Sequence, residues 1–210
     1  MYVKICGLRD AATAHHAVSS GADAVGVVMS PRSPRHASAA QAAEVLAAVR
    51  AHQRDGAPVD TVLVVNRMPA REAAELTGEL GFDVLQLHGA YTPHEIAAAA
   101  ALLPRVWRAT SLELDPALRA GEFGEERLLV DGAIPGSGDP WDLSALRSGT
   151  DARRRLGSGW ILAGGLDPQN VTAAIAATRP WGVDVSSGVE RAPGVKDPDR
   201  IVRFIRAARR

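Results

Sequence analysis

The 210-residue chain is poor in several residue types, and each shortage excludes something. Cysteine occurs once, at Cys6, so no intrachain disulfide framework holds the fold together. Charge of one sign is not in excess, with 24 basic residues balancing 24 acidic ones. No global field therefore favours nucleic acid or a membrane surface, and capture of an anion has to be local. No apolar run approaches the roughly 20 residues needed to cross a bilayer, and the N-terminus lacks a basic segment followed by an apolar signal core. Together these point to a cytoplasmic protein. Lysine is confined to Lys4 and Lys196, so arginine and alanine abundance reflects base composition rather than a mechanism.

Short β-branched runs alternate with alanine-rich stretches of helical character. The strand candidates are Tyr2 to Cys6, Ala24 to Met29, Asp60 to Val65, Val84 to Leu87, Arg105 to Ala109, Arg127 to Asp131, Trp160 to Ala163 and Val183 to Ser186. The helix candidates are Asp10 to Ser19, Ala39 to Val49, Pro69 to Leu80, Pro93 to Leu103, Pro168 to Thr178 and Pro198 to Ala208. Strict alternation implies parallel strands. Eight units favour an α/β fold with a single-domain (β/α)8 barrel over residues 1–210, and an open doubly wound sheet is the runner-up. The fifth unit carries Pro116, Gly121 and Gly124, which predicts a short or irregular helix there. In the last helix Ile201, Phe204, Ile205 and Ala208 share one face, and the terminal arginines take the solvated faces.

Side chains alternate along a strand, so Val3 and Ile5 face outward to the helices while Lys4 and Cys6 face the barrel interior. Cys6 ends strand 1 just before Gly7, at the tip where parallel-strand enzymes keep their chemistry. A lone cysteine also reads as a small buried hydrophobe. Asp131 ends strand 6 after three apolar residues, which suits either a functional carboxyl or a cap. Asp184 and Ser186 share a face of strand 8. Gly164 and Gly165 after strand 7, with Ser186, Ser187 and Gly188 after strand 8, form two glycine turns whose backbone N–H groups suit a phosphate. Arg35, in a loop stiffened by Pro31 and Pro34, suits bidentate capture of a carboxylate or plain solvation. Gln86 and His88 end strand 4 with one parity, and the histidine is either a proton shuttle or a positioner. Gly136-Ser137-Gly138 suggests a mobile or phosphate-facing loop. No His or Asp spacing suggests a metal site.

Val3-Lys4-Ile5-Cys6-Gly7-Leu8, Gly21-Ala22-Asp23-Ala24-Val25-Gly26, Ser33-Pro34-Arg35, Gln86-Leu87-His88-Gly89, Asp131, Gly136-Ser137-Gly138, Leu162-Ala163-Gly164-Gly165-Leu166 and Val183-Asp184-Val185-Ser186-Ser187-Gly188-Val189-Glu190 occur in this order, followed by Gly194 and Lys196-Asp197. In that order the chain resembles the phosphoribosylanthranilate isomerases of tryptophan biosynthesis over nearly its whole length. The resemblance implies a cofactor-free Amadori rearrangement of a small phosphosugar substrate. It also implies Asp131 as general acid with a raised pKa and Cys6 as a thiolate base with a depressed one. Arg35 would hold the anthranilate carboxylate, and the backbone around Gly165, Ser187 and Gly188 the phosphate. Lys4 either favours the thiolate or pairs with Asp184. The chain departs from the family in a shortened sixth loop, in Val28-Met29 where aromatics are usual, and in His36 where a tyrosine is usual. An isomerase acting on a modified anthranilate and a non-catalytic phosphate-binding paralogue are the alternatives. The histidine-pathway barrel isomerase is disfavoured by Val65-Asn66-Arg67-Met68, which is no glycine nest, and by Cys6 in place of an aspartate. The oligomeric expectation is a monomer or homodimer.

Overall fold

A computed structural model of the chain describes residues 1–53, 58–132 and 142–210. Eight strands form the barrel: β1 (Tyr2–Cys6), β2 (Ala24–Val28), β3 (Asp60–Val65), β4 (Val84–His88), β5 (Val106–Ser111), β6 (Arg127–Asp131), β7 (Trp160–Leu162) and β8 (Gly182–Val185). Each pairs in parallel with the next, and β8 pairs with β1, so the sheet closes. The register places Lys4 opposite Ala24 on one side and Asp184 on the other.

The alternation read from β1 holds around the barrel. Val3, Ile5, Val25, Leu63, Leu85 and Val183 join the outer core beneath the helices. Cys6, Ala24, Val62, Val64, Val84, Trp107, Leu129 and Ile161 form a separate interior cluster. A barrel of this size is filled by its own side chains, so the interior is a packed core and the chemistry is left to its rims. At the N-terminal rim, Tyr2 donates to Asp60 at 2.6 Å, Arg105 bridges Asp60 and Glu126, and Trp181 stacks on Tyr2.

Helices α1 (Ala11–Ser19), α2 (Ala39–Gln53), α3 (Ala70–Leu80), α4 (Pro93–Ala100), α5 (Asp151–Leu156), α6 (Val171–Thr178) and α7 (Pro198–Ala208) return the chain between strands. Local chemistry sets their ends. Thr92 and Glu95 form a capping box with Pro93 in the first turn of α4, and Asp197 caps α7. Helix α6 starts later than predicted because the Asp167 carboxylate accepts from the Gln169 and Asn170 N–H groups, which holds Pro168 in a turn. None of these helices is long and apolar enough to cross a membrane.

The fifth unit departs furthest from the regular pattern. Between β5 and β6 the chain runs through turns without a helix. Arg108, which points outward where a helix would pack, is buried and organises this connection. Its guanidinium donates to Glu125 at 3.2 Å, to Asp115 at 3.1 Å and to the Arg119 carbonyl at 3.0 Å, and it lies 4.0 Å from the Phe123 ring centroid. Glu125 in turn accepts from the Gly121 and Phe123 N–H groups. Two elements were not anticipated from the sequence: α5 after β6, and a hairpin of β9 (Glu190–Ala192) and β10 (Val195–Lys196) between β8 and α7.

Candidate active site

The C-terminal ends of β1, β4, β6 and β8 surround a cavity of about 650 Å³ that extends over the loops after β2 and β3. Cys6, Arg35, Gln86, His88, Asp131, Asp184 and Ser186 all line it. The structure therefore brings together the expected acid, base and substrate-binding side chains.

Cys6 is held in place by glycines on either side. Gly7 has φ +81°, and a Cβ there would lie 2.9 Å from Arg35 Cδ. A Cβ on Gly26 of β2 would lie 2.8 Å from Cys6 Sγ and 3.2 Å from Lys4 Nζ, so the sulfur and the ammonium share one glycine notch. Lys4 is fully buried and donates to Asp184 at 2.9 Å. Burial works against its charge, yet Asp184 and Cys6 hold its pKa above the ordinary lysine value. The expected depression of the Cys6 pKa is not met. Burial pushes the thiol up and Asp184 adds to the effect, while Lys4 and Lys196 oppose it.

Asp131 caps no helix among the described residues. Its Oδ1 accepts from the neighbouring Gly132 N–H at 2.7 Å. Burial pushes its pKa up to about 6, reinforced by Asp184 and opposed by Gly132, Lys4 and Arg35. His88 Nε2 stands 3.5 Å from Asp131 Oδ2, outside hydrogen-bond reach. Burial drives the imidazole down to about 4, so at neutral pH this contact is not an ion pair. Gln86 is buried, and its Oε1 has no hydrogen-bond partner among the described residues.

Arg35 binds Glu190 through Nε at 2.7 Å and Nη2 at 3.0 Å. Glu190 also accepts from Lys196 at 2.8 Å and from the Gly194 N–H at 3.1 Å. Burial opposes its ionisation, but Arg35 and Lys196 hold its pKa below the usual carboxylate value. Lys196 reaches on to the Ser186 carbonyl at 2.9 Å, and Ser186 Oγ donates to the Cys6 carbonyl at 3.1 Å. Glu190 was read only as the end of a motif. The signal for its role was one of the chain's two lysines, Lys196, placed across the hairpin from it.

The two glycine turns meet. Gly164 and Gly165 have φ of +85° and +60°, and a Cβ on Gly188 would overlap the Leu166 carbonyl. Ser187–Val189 form a single 3-10 turn beside them. The Gly136-Ser137-Gly138 motif and the altered segment of the sixth loop before Asp142 lie outside the described residues. Among the described residues no cluster of three or more metal-binding side chains occurs.

A buried carboxyl that keeps its proton to about pH 6 can protonate an oxygen of a sugar, and a sulfur on another strand of the same cavity can take a proton from a nearby carbon. Beside a pair of glycine turns whose geometry suits an anion, they fit a barrel isomerase of the acid–base class. Residues 3–207 match the family model described as N-(5'phosphoribosyl)anthranilate (PRA) isomerase. The chain is 42% identical to the N-(5'-phosphoribosyl)anthranilate isomerase of Paracoccus denitrificans, covering 98% of this chain and 96% of that one. Among solved structures, TrpF from Jonesia denitrificans is 49% identical with a TM-score of 0.86, covering 100% of this chain and 97% of that one. A phosphoribosyl anthranilate isomerase in complex with reduced 1-(o-carboxyphenylamino)-1-deoxyribulose 5-phosphate is 30% identical with a TM-score of 0.79, covering 100% of this chain and 98% of that one. The chain belongs to the N-(5'-phosphoribosyl)anthranilate isomerase family, and it is an enzyme of tryptophan biosynthesis.

Proposed function

We propose that this enzyme converts N-(5'-phosphoribosyl)anthranilate to 1-(2-carboxyphenylamino)-1-deoxyribulose 5-phosphate with Asp131 as the acid and Cys6 as the base. The observation that carries the assignment is the separation of their roles within one cavity. Asp131 is the carboxyl whose proton persists to about pH 6, and Cys6 is the sulfur beside a buried ammonium. Asp131 gives its proton to the furanose ring oxygen, the C1'–O bond breaks, and the anilino nitrogen lone pair forms a Schiff base. Cys6 thiolate removes the C2' proton, and the electron pair left behind forms the enolamine, which tautomerises to the ketose.

The remaining residues bind and orient. The backbone of Gly164, Gly165, Ser186, Ser187 and Gly188 holds the phosphate, and Arg35, steadied along one edge by Glu190, meets the anthranilate carboxylate. Gln86 and neutral His88 offer hydrogen bonds to the sugar, and Asp184 acts beside them through its pairing with Lys4. Fixing the substrate at both charged ends sets C2' between acid and base. The test follows the fluorescence decay of freshly made phosphoribosylanthranilate with wild type, Cys6→Ser and Asp131→Asn. Turnover by wild type should fall by roughly 10²- to 10⁴-fold in each variant. A folded variant that retains the wild-type rate removes its residue from the mechanism.

A further inference from the structure

The site as described leaves its base in an unfavourable state. Cys6 is 6% exposed and surrounded by apolar interior residues, an environment that keeps a thiol neutral. The same strand supplies a group that counters this. Lys4 lies two residues back on the same face, wholly buried, with its ammonium and the sulfur bordering one glycine position on β2. The shared notch at Gly26 puts the two groups within the roughly 4–6 Å over which an opposite charge favours ionisation. A buried lysine needs a fixed counter-charge to stay protonated, and Asp184 supplies it at 2.9 Å from the adjacent strand.

We propose that Lys4, anchored by Asp184, is a positioning residue that holds its ammonium against Cys6 and so makes the thiolate available for proton abstraction. The inference rests on the reading of Cys6 as the base. The arrangement has an inherent opposition, because the carboxylate that keeps Lys4 charged also disfavours a second anion at the sulfur. The charged groups facing Cys6 are Lys4 from β1, Asp184 from β8 and Lys196 from β10, with Asp131 and His88 lining the same cavity. The Gly26 contact from β2 brings no charge. Lys196 is held by Glu190 and Ser186, whereas Lys4 shares the Gly26 notch with the sulfur.

Cys6 is the chain's sole cysteine and lines the cavity, so its ionisation can be read directly from the pH dependence of alkylation by iodoacetamide. In Lys4→Met the alkylation midpoint should rise by about one pH unit or more, slowing alkylation about tenfold at pH 8. In Asp184→Asn the opposing negative charge is gone and the thiolate itself becomes the counter-charge that keeps Lys4 protonated, so the midpoint should fall. Turnover of Lys4→Met should lose kcat rather than KM, and the loss should narrow as the pH is raised. An unchanged midpoint in folded Lys4→Met overturns the proposal. So does a shift of both variants in one direction, which packing damage alone would produce. Should Lys4→Met fail to fold, the double variant Lys4→Met/Asp184→Asn must show a higher midpoint than Asp184→Asn, and equality overturns the proposal. The alkylation readout does not depend on turnover. Full activity in Cys6→Ser would defeat the assignment of the base while leaving the Lys4–Cys6 coupling to be judged on its own.

Discussion

Asp131→Asn should make the protein more stable at neutral pH while removing its acid. The carboxyl is 7% exposed, and burial raises its pKa from 3.8 to about 6. In the unfolded chain the same group titrates near its ordinary value. Below about pH 4 it is protonated in both states and contributes nothing to the pH dependence. Between about pH 4 and 6 the unfolded chain ionises first, so the folded state loses ground, and above about pH 6 the full cost is present. At about 1.4 kcal/mol per pH unit, the cost approaches 3 kcal/mol. Asparagine preserves the Oδ1 acceptor for the Gly132 N–H and carries no charge to bury. For a chain of this length the gain corresponds to a Tm increase of roughly 6–12 °C. Calorimetric or urea unfolding of wild type and Asp131→Asn at a series of pH values from 4 to 8 measures the difference, and titrations common to both proteins cancel. A variant no more stable than wild type at pH 8, or an advantage that persists undiminished at pH 4, would refute the burial argument.

Arg108→Met should lower stability by about 3–5 kcal/mol, because it leaves buried Glu125 without its cation. Calorimetry should show Tm falling by roughly 6–20 °C, with kcat near the wild-type value well below the transition. Pairing it with Glu125→Gln should cost less than the sum of the two single changes, as contacting residues require. Gly188→Ala pushes a methyl group into the Leu166 carbonyl and disturbs both glycine turns. Steady-state kinetics should show KM rising roughly tenfold with a much smaller change in kcat, and inorganic phosphate should inhibit more weakly. An unchanged KM would separate Gly188 from the phosphate-binding role.

What could be read from the sequence followed from periodicity. Alternation along Val3-Lys4-Ile5-Cys6 placed Cys6 in the interior correctly, shared parity did the same for Gln86, and Asp131 was located by its place at the tip of β6. Lys4 was harder, because its ammonium pairs with Asp184 while also bordering the Cys6 sulfur at one notch, and neither alternative excludes the other. The ionisation of Cys6 could not be read at all, since the burial that raises it depends on the packed barrel around it. Glu190 and Arg35 are 155 residues apart, and no local pattern announces their pairing. Pro116, Gly121 and Gly124 pointed to a short helix or an irregular connection in the fifth unit, where the chain forms turns alone, but not to Arg108 replacing apolar packing with charge. Helix α5 escaped notice because Arg153, Arg154 and Arg155 give it no apolar face of useful length.

The pairing of β1 with β8 has a consequence for how activity arises during synthesis. Cys6 leaves the ribosome long before Asp184, Ser186 and Lys196, which contact its strand or loop. A growing chain that has completed every unit but the final one holds the sulfur on an open edge, without the carboxylate that anchors Lys4 or the second glycine turn. Turnover therefore begins only when β8 meets β1, and the appearance of product reports ring closure rather than the gradual accumulation of folded parts.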